Sequence, residues 1–248
     1  MPESQQLTRR ELERLPLEPL HQARNWSKAA VFLAEWPPDS KRRVVVKDFK
    51  KGALWFRLVA GRHFMQREWK TLRALSGMAG VPAAIARPDA DCIVIEYCHG
   101  TPVNRFEAGA LPAAALEQLG RLVEALHARG VTHGDLHQSN ILVADDGAIT
   151  LIDWATASHF GTRPRGLKAK FFNEWRTLDK RAVAKLKARH APALLTQEER
   201  DILWQGGSGL YRAVKKVRHG VGRLRGADRE KERATALAEY RKLLEKDS

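Results

Sequence analysis

The chain has 248 residues, 44% of them hydrophobic, and carries 43 Lys+Arg against 29 Asp+Glu, for a formal net charge of +14 and a pI near 10.1. That length suits one large globular domain or two small lobes, and the hydrophobic content is ordinary for a globular protein. No apolar run approaches the roughly 20 residues that span a bilayer, two cysteines six positions apart on one strand point to a reducing, cytoplasmic setting, and the positive field favours anionic partners.

Thr8-Arg9-Arg10-Glu11 has the form of a capping box opening a short helix that Pro16 ends. Residues 1–24 are expected to be a peripheral segment. Asn25 to Glu35, with Val31-Phe32-Leu33 inside it, reads as the first hairpin of a small β-rich lobe, before a loop at Pro37-Pro38-Asp39-Ser40. Arg43 to Phe49 is a strand by its β-branched run, with Lys47 embedded in its apolar part. The spacing from Arg62 to Leu75 predicts a helix with Phe64, Glu68, Leu72 and Leu75 on one face. Glu68 then lies inside an apolar stripe, where an unpaired carboxylate is costly to bury, so it calls for a cationic partner. Asp91 to Cys98 is the next strand, closing on His99-Gly100-Thr101-Pro102. Ala113 to Arg129 is a helix that buries Leu116, Leu119, Leu122, Val123 and Leu126 and stops at Gly130.

The stretch from Val131 to Ala155 organises the chain. Two apolar runs, Ile141 to Val143 and Ile149 to Ile152, flank Asp145-Asp146-Gly147, a strong hairpin signal. One loop, His133 to Asn140, enters the hairpin, and another opens at Asp153. Both leave the same end, so Asp135, Asn140 and Asp153 are expected to converge, an oxygen set that suits magnesium held together with substrate phosphates. The same loop allows a competing reading, in which His133, Asp135 and His137 begin a transition-metal site.

Basic residues crowd Arg163, Arg165, Lys168 and Lys170, followed by helices expected over 174–190 and 197–205, the latter opened by a Thr196 to Glu199 capping box. In the tail, Leu210, Val214, Val217, Val221 and Leu224 form one helical stripe flanked by arginines and lysines, which suits either packing on the domain or contact with an anionic membrane surface. A last helix is expected over 234–246.

His133-Gly134-Asp135, then Asn140 five residues later, then a strand and Ile152-Asp153, resembles the catalytic core of the protein-kinase-like superfamily. The loop is similar to that of aminoglycoside phosphotransferases. The compact length and lysine strand look more like small bacterial RIO-type serine/threonine kinases and lipopolysaccharide-core kinases. The resemblance implies an α+β, two-lobed protein-kinase-like fold, with a β-rich N-lobe over 25–98, a mostly helical C-lobe over 99–205 and a basic helical extension over 206–248. It also implies ATP and Mg²⁺: Asp135 as catalytic base, Asn140 and Asp153 as metal ligands, and Lys47 on the phosphates, paired with Glu68. Glu96 and Cys98 would meet adenine through main-chain groups. The glycine-rich phosphate loop is missing, and Ser27 and Lys28 stand where it would be. Gly134 replaces the arginine of phosphorylation-regulated kinases, and Asp153-Trp154-Ala155 replaces Asp-Phe-Gly.

The expected activity is transfer of the γ-phosphate to a hydroxyl, foremost on a protein serine or threonine. The alternatives are a lipopolysaccharide core sugar, an aminoglycoside-type small molecule, or a nucleotide-binding regulator with little turnover. Expected partners are ATP, the hydroxyl-bearing acceptor, and an anionic membrane surface or ribonucleoprotein contacted by the tail, which would give a cytoplasmic protein a peripheral place at the inner membrane face.

Overall fold

The computed structural model describes residues 7–21, 29–38, 40–49 and 61–204. The expectations placed on Ser27, Lys28 and the tail lie outside these residues. The first half forms a five-stranded antiparallel sheet from β1 (Glu18–His21), β2 (Ala30–Glu35), β3 (Arg43–Asp48), β4 (Ala84–Asp89) and β5 (Cys92–Glu96), in spatial order β1-β2-β3-β5-β4. Alternation along β3 sorts its side chains between two faces. Val44 and Val46 pack with Leu7, Leu12, Ala86, Cys92 and Val94 on one face. Lys47, in register with Ile93, belongs to the other face with Val45 and Ile95, where the main core lies.

The expectation that residues 1–24 are peripheral fails for the described part of that segment. Thr8 and Glu11 do form the capping box of α1 (Arg9–Leu12). Leu7 and Leu12, however, are buried against the sheet. Arg9 reaches Asp48 at 2.5 Å and Asp89 at 2.7 Å, and β1 is the sheet's edge strand. So short a helix carries too few apolar positions for its buried side to be read as a periodic stripe.

Helix α2 (Arg62–Ala74) packs across the sheet's inner face. Its buried positions are Met65, Glu68, Thr71 and Leu72, with Leu75 just beyond, so Met65 takes the place expected of Phe64. Beyond β5 the chain is mostly helical: α3 (Ala113–Ala128), α4 (Gly166–His190) and α5 (Gln197–Trp204), the last opened by the expected Thr196–Glu199 capping box. Two small sheets hold the loops between them. β6 (Thr101–Pro102), β8 (Ile141–Val143) and β9 (Ile149–Leu151) form one, and β7 (Val131–Thr132) with β10 (Ser158–His159) forms the other. Gly130 ends α3 with φ +69°, and a Cβ there would sit 1.9 Å from the Gly161 carbonyl oxygen. Only glycine permits that crossing.

Helix α4 starts eight residues before the expected 174, so Lys168 and Lys170 are helical and only Arg163 and Arg165 precede it. Exposed Leu167 and half-exposed Phe171 break the apolar period in its first turns, which hid the true start. The architecture is the α+β, two-lobed kinase-like fold. Among the described residues no helix is long and apolar enough to cross a membrane.

Candidate active site

The β8–β9 hairpin forms around Asp145-Asp146-Gly147, with Ile141 opposite Leu151 and Val143 opposite Ile149. At its base the Ile152 amide donates to the Asn140 carbonyl at 2.9 Å, so the two loops meet. The Asn140 side-chain Nδ2 donates to the Asp135 carbonyl at 3.0 Å. That bond fixes the amide's orientation and leaves its Oδ1 as the atom able to ligate a hard cation. Asp153 follows with φ +64° and ψ +70°, a left-handed conformation that favours glycine. Strain at a non-glycine residue of this kind persists where the surroundings impose it. Its carboxylate is about half exposed, at 53%. Behind it Trp154 is fully buried and donates from Nε1 to the Leu151 carbonyl at 2.9 Å, giving the indole its polar partner.

The partner that Glu68 calls for is Lys47. Its Nζ lies 2.6 Å from Glu68 Oε1 and 3.7 Å from Asp153 Oδ1, so one ammonium joins β3, α2 and the segment after the hairpin. Burial works against this ammonium, but Glu68 and then Asp153 outweigh it and hold its pKa above the ordinary lysine value. Burial pushes the Glu68 carboxyl upward, and Lys47 only partly pulls it back. The pair is therefore poised to lose its charge if either partner is removed.

The two residues expected to meet adenine stand in different settings. The Glu96 amide donates to the Ala83 carbonyl at 2.9 Å and its Oε2 accepts from the Ala83 amide at 3.0 Å, so its N–H belongs to the sheet rim. Cys98 lies beyond the paired register of β5, with its thiol pushed up to about 11 by burial and then by Glu96. The transition-metal reading of the loop fails. His133 is fully buried, its Nε2 lies 3.1 Å from the Ile152 carbonyl, and no cluster of three or more His, Cys, Asp or Glu suited to a metal occurs among the described residues. Burial lowers the His133 pKa, outweighing the nearby Asp179, Asp153 and Asp135.

Three positioning groups escaped the sequence reading. Asp179 of α4, 1% exposed, accepts from the His133 amide at 2.8 Å and the Gly134 amide at 2.9 Å, and its Oδ2 lies 3.2 Å from His127 Nε2. Its signal was the one that exposed Glu68: Asp179, Val183, Leu186 and His190 form a stripe at spacings of four, three and four. Arg67, beside Glu68 on α2, donates to the Ala157 carbonyl, to the Thr156 carbonyl at 3.0 Å and to Ser158 Oγ. Thr156 Oγ1 in turn donates to the His133 carbonyl at 3.1 Å. Nothing in a chain this rich in arginine singles out Arg67.

Residues 39–164 match the model of a family described as the RIO domain. Among curated proteins the chain is similar to a probable bifunctional tRNA threonylcarbamoyladenosine biosynthesis protein of Methanoculleus marisnigri, 37% identical over 47% of this chain and 21% of the relative. It is also similar to the EKC/KEOPS complex subunit BUD32 of Encephalitozoon cuniculi, 35% identical over 39% of this chain and 48% of the relative. To the serine/threonine-protein kinase rio2 of Dictyostelium discoideum it is 35% identical over 25% of this chain and 12% of that protein. The match thus spans less than half the length of each of these relatives.

Proposed function

Because the chain belongs to the RIO domain family of the protein-kinase-like superfamily, we propose that it is an ATP- and magnesium-dependent phosphotransferase whose acceptor is a protein serine or threonine hydroxyl. The observation that carries this reading is the Lys47 ammonium, held between fully buried Glu68 and half-exposed Asp153. A lysine so placed meets the donor's phosphates, and α2 stops it from swinging away. Asp135 receives the acceptor's proton and holds the hydroxyl in line, while Asn140 Oδ1 and the Asp153 carboxylate hold the metal. Bound magnesium supplies neutralisation of the phosphate oxygens. Catalysis then rests on positioning and on charges fixed in advance, the terms that dominate phosphoryl transfer.

For the acceptor, the kinase name carried by one relative favours protein. A lipopolysaccharide core sugar and an aminoglycoside-type small molecule remain as weaker acceptors, the last opposed by the net charge of +14, which repels cationic substrates. A second reading draws on the relatives named for tRNA biosynthesis and the EKC/KEOPS complex. It makes the chain a nucleotide-binding subunit of a ribonucleoprotein assembly with little turnover of its own, and the basic surface suits that setting too.

The test is transfer from γ-labelled ATP with magnesium in a bacterial extract, separating protein, glycolipid and small-molecule fractions. Label in protein, lost in Asp135→Asn and in Asp153→Ala while the melting temperature hardly moves, is the expected result. Label in glycolipid would replace the acceptor. Wild-type activity in Asp153→Ala would remove the site assignment. ATP binding without transfer or release of phosphate would favour the ribonucleoprotein reading.

A further inference from the structure

His137 is a polar side chain of the catalytic loop that the reading above leaves unused. It stands two residues after Asp135 on extended backbone, φ −137°, at the start of the turn Gln138–Asn140. Its carbonyl accepts the Asn140 amide at 2.8 Å, so the backbone that carries the ring is pinned. The ring's Nε2 is shut away from solvent and has no hydrogen-bond partner among the described residues. It lies 3.6 Å from Asp135 Oδ2.

A buried polar nitrogen left unpaired costs free energy, so each instance in a folded chain wants a reason. At 3.6 Å the two groups stand just outside hydrogen-bonding range, and catalytic hydrogen bonds are often long before substrate binds. The neighbouring imidazoles are occupied elsewhere, His133 with the Ile152 carbonyl and His127 with Asp179. Asp135 itself is 8% exposed, so solvent does little to select between its two carboxylate oxygens.

We propose that His137 is a positioning residue for the base: in the substrate complex its ring donates from Nε2–H to Asp135 Oδ2, which holds the carboxylate plane with Oδ1 toward the acceptor. The acceptor oxygen then forms its bond to the γ-phosphorus as the bond to the β-phosphate oxygen breaks. ADP leaves, and the hydroxyl proton passes to Asp135 Oδ1. Nothing is transferred to or from the imidazole. This inference rests on Asp135 being the base, and the tests below separate the two assignments.

The variants are His137→Gln, which keeps an N–H donor of similar reach, and His137→Leu, which fills the space without one. With Mg²⁺ and γ-labelled ATP, total label lost from ATP is followed over a range of nucleotide concentrations up to saturation. In His137→Leu, kcat is expected to fall about tenfold, or about 1.4 kcal/mol of barrier. KM for ATP should change by less than about twofold, since the bond serves the acceptor side and not nucleotide binding. His137→Gln should recover most of kcat. With Mg²⁺ and a non-hydrolysable ATP analogue bound, the Nε2 resonance of His137 in a ¹⁵N imidazole spectrum, identified by its loss in His137→Gln, should move in Asp135→Asn. Equal turnover by the Gln and Leu variants, a loss confined to KM, or an unmoved resonance overturns the inference. A fully active Asp135→Asn, or a wild type that never consumes ATP, overturns the base assignment and this inference with it.

Discussion

Two buried carboxylates hold the site, and they do so differently. Glu68 is paired with a cation, whereas Asp179 accepts two loop amides, those of His133 and Gly134. Replacing Asp179 with Ala leaves both N–H groups buried and unpaired, at a cost of about 1–3 kcal/mol each. Asp179→Ala should therefore lower the denaturant midpoint and turnover together. Loss of neither would mean that the loop is held by other contacts. His133 supplies a pH dependence whose sign follows from its lowered pKa. Below the ordinary histidine value, about 6.5, the unfolded chain binds a proton that the folded chain refuses. Stability is thus complete above that value and falls as the pH drops toward the folded pKa. The melting temperature should decline between pH 7 and pH 5.5, and His133→Gln should flatten that decline. Glu68 was legible because a carboxylate in an apolar stripe contradicts its surroundings. Asp179 offered the same contradiction, while the contacts of Arg67 are set by the tertiary fold alone.

Among the elements, those with a long period were legible and those shaped by crossing chains were not. Helix α3, the β8–β9 hairpin and the strand carrying Lys47 follow from spacing and turn chemistry within one or two residues. The edge strand β1 did not, because Glu-Pro-Leu-His has no alternation and its pairing with β2 lies across residues of weak pattern. The early start of α4 was hidden by its exposed apolar side chains. Gly130 shows how an element boundary can be fixed by another part of the chain, and a matched pair of variants separates that effect from strain alone. Gly130 and Gly147 both have positive φ, but a Cβ at Gly147 would meet nothing within 4 Å. Gly147→Ala should cost about 1–2 kcal/mol, the strain of a left-handed non-glycine residue. Gly130→Ala must also displace the Gly161 backbone, so its melting temperature should fall well below that of Gly147→Ala. Equal values would show that the crossing gives way freely.

At the scale of the molecule, the two lobes are stitched where the chemistry is expected. Arg67 on α2 holds the Thr156 and Ala157 carbonyls and Ser158, and Lys47 on the sheet reaches Asp153. Arg67→Ala removes several hydrogen bonds to partly buried oxygens, worth on the order of 1 kcal/mol each. The variant should melt earlier and lose turnover. Unchanged activity would show that Asp153 needs no such brace. The family and the two-lobed plan were readable because the spacing from His133 to Asp153 is local and strict. The stitching was not, since its partners lie about 90 residues apart. Asp179 adds a consequence for how the protein is made. It stands 15 positions beyond residue 164, where the RIO domain match ends, and 45 beyond the Gly134 amide it receives. A growing chain that has just emerged through residue 164 already contains Lys47, Glu68, Asp135, Asn140 and Asp153, yet lacks the carboxylate around which their loop is wrapped. The proposed phosphoryl transfer would therefore wait for α4, and a gene fragment cut to the matched stretch would express every residue of the candidate site without its assembly.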